Sequence, residues 1–140
     1  MASFNISTDV TTQQTLTGNE SGILTQNGSI AVLGANAITA TGTSHDLVIN
    51  GTVASDDTAI STNCDDLDLV VGAQGNILSA GSFGLFARVN NSNEIVNNGT
   101  ISSAQATGVG LFAIDTSAAH RLVNTGTISG EDFGVEIEAR

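Results

Sequence analysis

The feature that most constrains this chain is a phrase it repeats. Ile95-Val96-Asn97-Asn98-Gly99-Thr100-Ile101-Ser102 returns as Leu122-Val123-Asn124-Thr125-Gly126-Thr127-Ile128-Ser129, and each copy runs on to a Gly-Val pair, Gly108-Val109 and Gly134-Val135. The glycine of the phrase serves as an anchor that recurs at Gly28, Gly51, Gly75, Gly99 and Gly126, with gaps by subtraction of 23, 24, 24 and 27 residues. Two positions after each anchor stand Ile30, Val53, Ile77, Ile101 and Ile128; four positions before it stand Leu24, Leu47, Val71, Ile95 and Leu122. A third apolar column, nine or ten positions after the anchor, holds Ile38, Ile60, Leu85, Val109 and Val135. Self-similarity at this period is the signature of a stacked repeat architecture.

Each apolar residue sits among polar or small neighbours, the period-two pattern of a half-buried strand, and no segment carries sustained helical spacing with caps. One coil of this length cannot bury its own apolar side chains, whereas stacked coils share one continuous core. Three apolar columns predict three faces. The expected fold is therefore all-β: a parallel β-helix (β-solenoid) of about five coils of 23–27 residues with a roughly triangular cross-section. Stacked at the sheet spacing, such a rod is on the order of 24 Å long. The absence of proline suits uninterrupted ladders, since proline cannot donate to them. Glycine at the anchor is expected to serve a tight corner through positive φ.

At 140 residues the chain reads as a single domain, 1–140, with residues 1–20 as an N-terminal cap and 21–140 as coils. Phe4-Asn5-Ile6 differs from the repeats and is available to complete a coil on a neighbouring copy. At the other end Val135 and Ile137 alternate with Glu136 and Glu138, so an apolar edge without proline or an evident cap is expected to invite pairing. The predicted partner is thus another copy of the chain, a homo-oligomer built by end-to-end coil stacking.

The phrase Val123-Asn124-Thr125-Gly126-Thr127-Ile128-Ser129-Gly130, followed by Phe133-Gly134-Val135, resembles the coils of bacterial secreted parallel β-helix repeat proteins: autotransporter passenger domains and type I-secreted adhesins. The resemblance covers about Ser21 to Ile137, and the first residues also resemble those of type I-secreted adhesins. It implies a structural or adhesive module, extracellular or at the cell surface, with surface carbohydrate as a further partner. Met1-Ala2-Ser3-Phe4 shows no recognisable signal peptide. The calcium-binding nonapeptide of type I-secreted proteins is not carried over: Gly72-Ala73-Gln74-Gly75-Asn76-Ile77 lacks its second glycine and its aspartate.

Charge narrows the partners further. Fourteen acidic residues against three arginines, with no lysine, give a net charge of −11. Nucleic acid needs a basic footprint that this chain lacks. Anionic polysaccharides and anionic membranes are disfavoured on the same ground. No run of about 18 apolar residues exists, so no membrane insertion is expected.

Candidate sites are few. Asp56, Asp57, Asp65, Asp66 and Asp68 are the calcium candidates, because a hard cation takes several carboxylate and carbonyl oxygens. They flank the Ile60 strand and would converge only if two corners approach, so a solvated acidic surface is the expected outcome and no cofactor is assigned. Asn97 and Asn124 share a column, where stacked amides can form hydrogen-bond ladders, with Asn27, Asn50 and Asn98 one place nearer the anchor. His45 and His120 precede apolar strands at equivalent points and read as loop residues. Cys64, beside Asp65 and Asp66, has no partner for an internal disulfide, and the carboxylates disfavour its thiolate. Thr52, Thr100 and Thr127 share a column that Ser29 and Asn76 interrupt, which argues against an ice-binding face.

No catalytic residue is assigned. The alternative to a structural or adhesive role is a carbohydrate-active β-helix enzyme or binding module. Against the enzyme stand the lack of tryptophan and tyrosine and the scatter of Arg88, Arg121 and Arg140 over different coils. Two facing carboxylates in a groove would favour it.

Overall fold

The computed structural model describes residues 3–115 and 117–139. Over these residues the chain is all β. β1 (Phe4–Ile6) and β2 (Asp9–Val10) lead into three long strands that alternate with short ones: β3 (Gln14–Leu24), β4 (Ser29–Val32), β5 (Ile38–Ile49), β6 (Thr52–Ser55), β7 (Ile60–Val71) and β8 (Asn76–Ser79). From there each long strand is divided in two. The fourth turn reads β9 (Leu85–Val89), β10 (Asn93–Asn97) and β11 (Thr100–Ser103), and the fifth reads β12 (Val109–Ala113), β13 (His120–Asn124) and β14 (Thr127–Ser129); β15 (Val135–Ala139) begins another. Every pairing is parallel and joins a strand to its counterpart one turn away. The chain is a parallel β-solenoid of about five turns, with three strand segments per turn.

Two of the expected columns are ladders in register. Ile30, Val53, Ile77, Ile101 and Ile128 stack along the short-strand face, and the first four are fully buried. Ile38, Ile60, Leu85, Val109 and Val135 stack along the first face.

The column placed four residues before the anchor is corrected by the register. Leu24 and Val71 belong to the ladder Leu24–Ile49–Val71–Asn97–Asn124, whereas Leu47, Ile95 and Leu122 belong to Gly22–Leu47–Leu69–Ile95–Leu122. The corner between the second and third faces explains the mixture. It holds residues 25–28 and 72–75 in the first and third turns, but only 50–51, 98–99 and 125–126 in the others. The longer form closes on itself, with Gly28 N donating to Thr25 O and Gly75 N to Gly72 O. A step of two residues preserves which side of the strand faces inward, so the column stays apolar while its register moves.

The anchor glycines are also explained differently than expected. The positive-φ glycines are Gly18, Gly34 and Gly42, none of them an anchor. The anchors are glycine because the coils touch there. A Cβ on Gly51 would overlap Gly28 O, one on Gly99 would overlap Gly75 O, and one on Gly126 would overlap Gly99 O. Those same carbonyls accept from Thr52 N, Thr100 N and Thr127 N of the next turn.

At the first end, β1 pairs with β3 of its own chain, and the Phe4 ring lies where a Gly22 side chain would go. Phe4–Ile6 therefore completes a coil within the chain, not on a neighbour. Leu16 of the first turn is fully buried. At the other end the core is open: Ile137, in register with Leu111, is 65% exposed, and Val135, in register with Val109, is 39% exposed. No described segment is a helix, so none is long and apolar enough to cross a membrane.

Candidate functional site

Side chains on the first face point alternately in and out, and the outward ones form two ladders. One runs Thr15–Thr39–Ser61–Phe86–Gly110–Glu136, the other Thr17–Thr41–Asn63–Arg88–Phe112–Glu138. The first three turns thus present hydroxyls and an amide, and the fourth and fifth present aromatic rings. Phe86 and Phe112 lie diagonally across adjacent strands, their ring centroids 4.9 Å apart and tilted by 30°. Phe83, in the bend before β9, packs its ring edge-on to both, at 5.3 Å from Phe86 and 6.1 Å from Phe112. Gly110 makes this possible, since a Cβ there would stand 2.6 Å from the Phe83 ring and 2.9 Å from the Phe112 ring.

Beside the rings opens a cleft of about 250 Å³ lined by Phe86, Arg88, Phe112, Ala113 and Ile114. Arg88 is exposed and stands in register between Asn63 and Phe112. Arg121, by contrast, is paired with Glu94 one turn away. Arg140, the third arginine of the sequence, lies outside the described residues. The sequence shows Phe83-Gly84-Leu85-Phe86 as its most aromatic stretch but not the cleft, because Phe112 joins it only through a register one full turn long.

The five candidate calcium ligands are spread over different partners. Asp56 accepts from Gly34 N at 2.6 Å, and Asp57 accepts from Thr58 N at 2.9 Å. Asp65 accepts from the Asn90 amide at 2.8 Å, and Asp66 from Ser92 N at 3.2 Å. Asp68 lies in an outward ladder with Asp46 and Glu94. Its carboxyl is held above the usual aspartate range, first by desolvation and then by the charges of Asp46, Glu94 and Asp66. Among the described residues no three acidic, histidine or cysteine side chains form a group that could hold a metal ion.

The asparagine column makes a ladder where it can. The buried Asn97 amide donates to Asn124 Oδ1 at 2.8 Å and to Thr127 O at 3.0 Å, while its own oxygen accepts from Gly99 N at 3.2 Å. The bond locks the corner between two turns. Asn98 accepts from the Thr125 hydroxyl at 2.6 Å on the outside of the same corner.

The two histidines do share a column, Glu20–His45–Leu67–Asn93–His120, but they lie in strands, not loops. His45 is 1% exposed, with Nδ1 3.0 Å from Glu20 O and Nε2 3.0 Å from Thr41 O. Its ring is held as a core element. Cys64 is buried too, its thiol pushed up to about 11 by burial first and by Asp65 and Asp66 next. A buried thiol held in its neutral form is a poor nucleophile.

Sequence reading also missed the buried serine ladder Ser55–Ser79–Ser103 at the corner from the third face to the first. Each hydroxyl accepts a backbone N–H of the bend that follows, from Asp57, Ser82 and Ala106 respectively.

Fold and surface together define a β-solenoid with one aromatic cleft on an otherwise hydroxyl- and carboxylate-bearing face. Comparison with protein-family models, with curated proteins and with solved structures returns no match.

Proposed function

We propose that the chain is a structural or adhesive β-solenoid module of a secreted or cell-surface bacterial assembly, extended by stacking coil on coil. The observation that carries this reading is the last turn. Within the described residues β13 pairs only with β10, β14 only with β11 and β15 only with β12, while Val135, Ile137 and Phe133 expose apolar surface beside that edge. Unpaired strand edges next to an open apolar core form a template for another coil. The next coil can come from the same polypeptide or from a second copy.

The first end has the matching form. There β1, β2 and the Gln14–Gly18 part of β3 present the corresponding edges of the three faces. Stacked head to tail, β15 would meet β3, β13 would meet β1, and β14 would meet β2. Such a contact joins two different surfaces and does not close on itself, so it gives an open fibre. The secreted setting is supported by the coil phrases, which resemble those of autotransporter passengers and type I-secreted adhesins, and by the acidic, lysine-free composition.

Sedimentation velocity and electron microscopy at rising concentration test the stacking. The 140-residue chain is expected to form end-to-end oligomers or filaments. Val135→Pro, which removes a ladder donor from β15, should return it to monomers. A monodisperse monomer at high concentration would overturn head-to-tail stacking.

A further inference from the structure

We propose that the cleft formed by Phe86, Phe112 and Arg88 is a binding site for a sugar ring of a neutral glycan whose ring hydroxyls are equatorial. The proposal deepens the adhesive half of the reading above and rests on it, but it does not need coil stacking. Aromatic rings on the outer face of a strand forgo burial in the core, yet Phe86 and Phe112 stand there and Phe83 joins them from the bend, three of the chain's five phenylalanines. Gly110 leaves the space that lets the Phe83 ring sit edge-on to the other two and buttress them. The platform is therefore supported from the side and does not consist of isolated exposed rings.

Next come the groups beside the platform. Arg88 offers a planar fork of donors, and Asn63, its neighbour in the ladder, offers both a donor and an acceptor. Ala113 and Ile114 close the apolar side of the cleft. An apolar floor with hydrogen-bonding groups on one flank fits a ligand whose face is C–H and whose rim is hydroxyl. A sugar ring with equatorial hydroxyls has that form. The cleft volume of about 250 Å³ suits one such ring and not a folded partner.

Charge decides between neutral and acidic sugars. Glu138 stands in register beside Phe112 and Glu136 beside Gly110, on the turn adjoining the cleft, and the chain carries −11 overall. A carboxylate-bearing glycan would gain from Arg88 and lose to this field, whereas a neutral one uses Arg88 as a donor and feels no repulsion. The hydroxyls of Thr41, Thr39 and Ser61 continue the two ladders away from the rings along the solenoid axis. They extend the track on which further sugar units of a chain could be hydrogen-bonded.

The test is titration of the intact chain with cellohexaose and with oligogalacturonate of equal length, by calorimetry and by saturation transfer to the sugar protons. Cellohexaose is expected to bind, with saturation arriving from phenylalanine rings. Phe86→Ala and Phe112→Ala should each weaken it roughly tenfold, the loss of about one ring contact. Arg88→Ala should weaken it while Arg88→Lys partly restores it, and Leu33→Ala, 86% exposed and lining no part of the cleft, should change nothing. Melting curves accompany every variant; should the phenylalanine variants unfold, exposed Arg88 decides the matter. No cellohexaose binding, equal binding by the Arg88→Ala variant, or preference for oligogalacturonate would each overturn the assignment. A monomer that binds cellohexaose would sink the stacking and leave the site standing; a filament that does not bind would do the reverse.

Discussion

An alanine methyl at Gly51 would overlap the carbonyl oxygen of Gly28 and stand 2.5 Å from that of Thr25. Both obstacles are backbone, held in place by the ladder, so neither can swing aside. Gly18 poses the opposite problem: its φ is +73°, yet nothing lies within 4 Å of the position a Cβ would take. One glycine is required by the neighbouring coil and the other by its own dihedral angle. Gly51→Ala is therefore expected to destabilise by about 3 kcal/mol or more, and Gly18→Ala by about 1–2 kcal/mol, the strain of a left-handed alanine. Urea unfolding of the two variants checks the order. Equal losses would show that the anchors serve conformation after all, as the sequence alone suggests.

Among the elements, the outward ladder Ser21–Asp46–Asp68–Glu94–Arg121 concentrates like charge in its middle three rungs. Among the described residues, the Glu94 end is relieved by its ion pair with Arg121. Desolvation first, and this crowding of charge next, raise the pKa of Asp68. A carboxyl whose pKa is higher folded than unfolded binds protons more tightly in the native state, so its ionisation lowers stability as pH rises through that window. Asp68→Asn should accordingly melt higher than the parent at pH 7. The gain should shrink as pH falls through the raised pKa and vanish below the ordinary aspartate range. Thermal melts from pH 3 to 7 provide the check, and added salt should narrow the difference because the site is near the surface. The same ladders show what can be read from a single chain. Ile30, Val53, Ile77, Ile101 and Ile128 were legible because burial on one side of a strand leaves a period of two around a fixed glycine. Asn97 over Asn124 was legible for the same reason. The neighbours of Leu24 were not, because corner lengths differ between turns. Nor was the cleft: Arg88 and Phe112 meet only through register, and outward residues carry no apolar pattern to betray it. His45 escaped because its place in the core is held by hydrogen bonds to two carbonyls, which leave no mark on hydropathy.

For the molecule as a whole, one core runs from Leu16 to Leu111 without a break. Each turn buries its apolar residues against the turns on either side, so damage at one level reaches the others. Ile101→Asp would place a carboxylate between Ile77 and Ile128, where no partner waits for it. The expected loss is more than about 4 kcal/mol, with the transition broadened or absent. Thr100→Asp, one residue away and facing outward between Asn76 and Thr127, should stay within about 1 kcal/mol of the parent. Circular dichroism melts of the pair decide this, and similar losses would refute the inward and outward assignment. The corner that holds two residues in some turns and four in others has a further meaning for how such a rod can change over time. It acts as an expansion joint. Leu24 pairs with Ile49 ahead of it and Ser29 with Thr52 behind it, although the first turn carries two more residues in between than the second. The extra pair is taken up where Gly28 N closes onto Thr25 O, so gain or loss of such a pair leaves the ladders on both sides in register. Length at this corner is thus free to drift without disturbing the core.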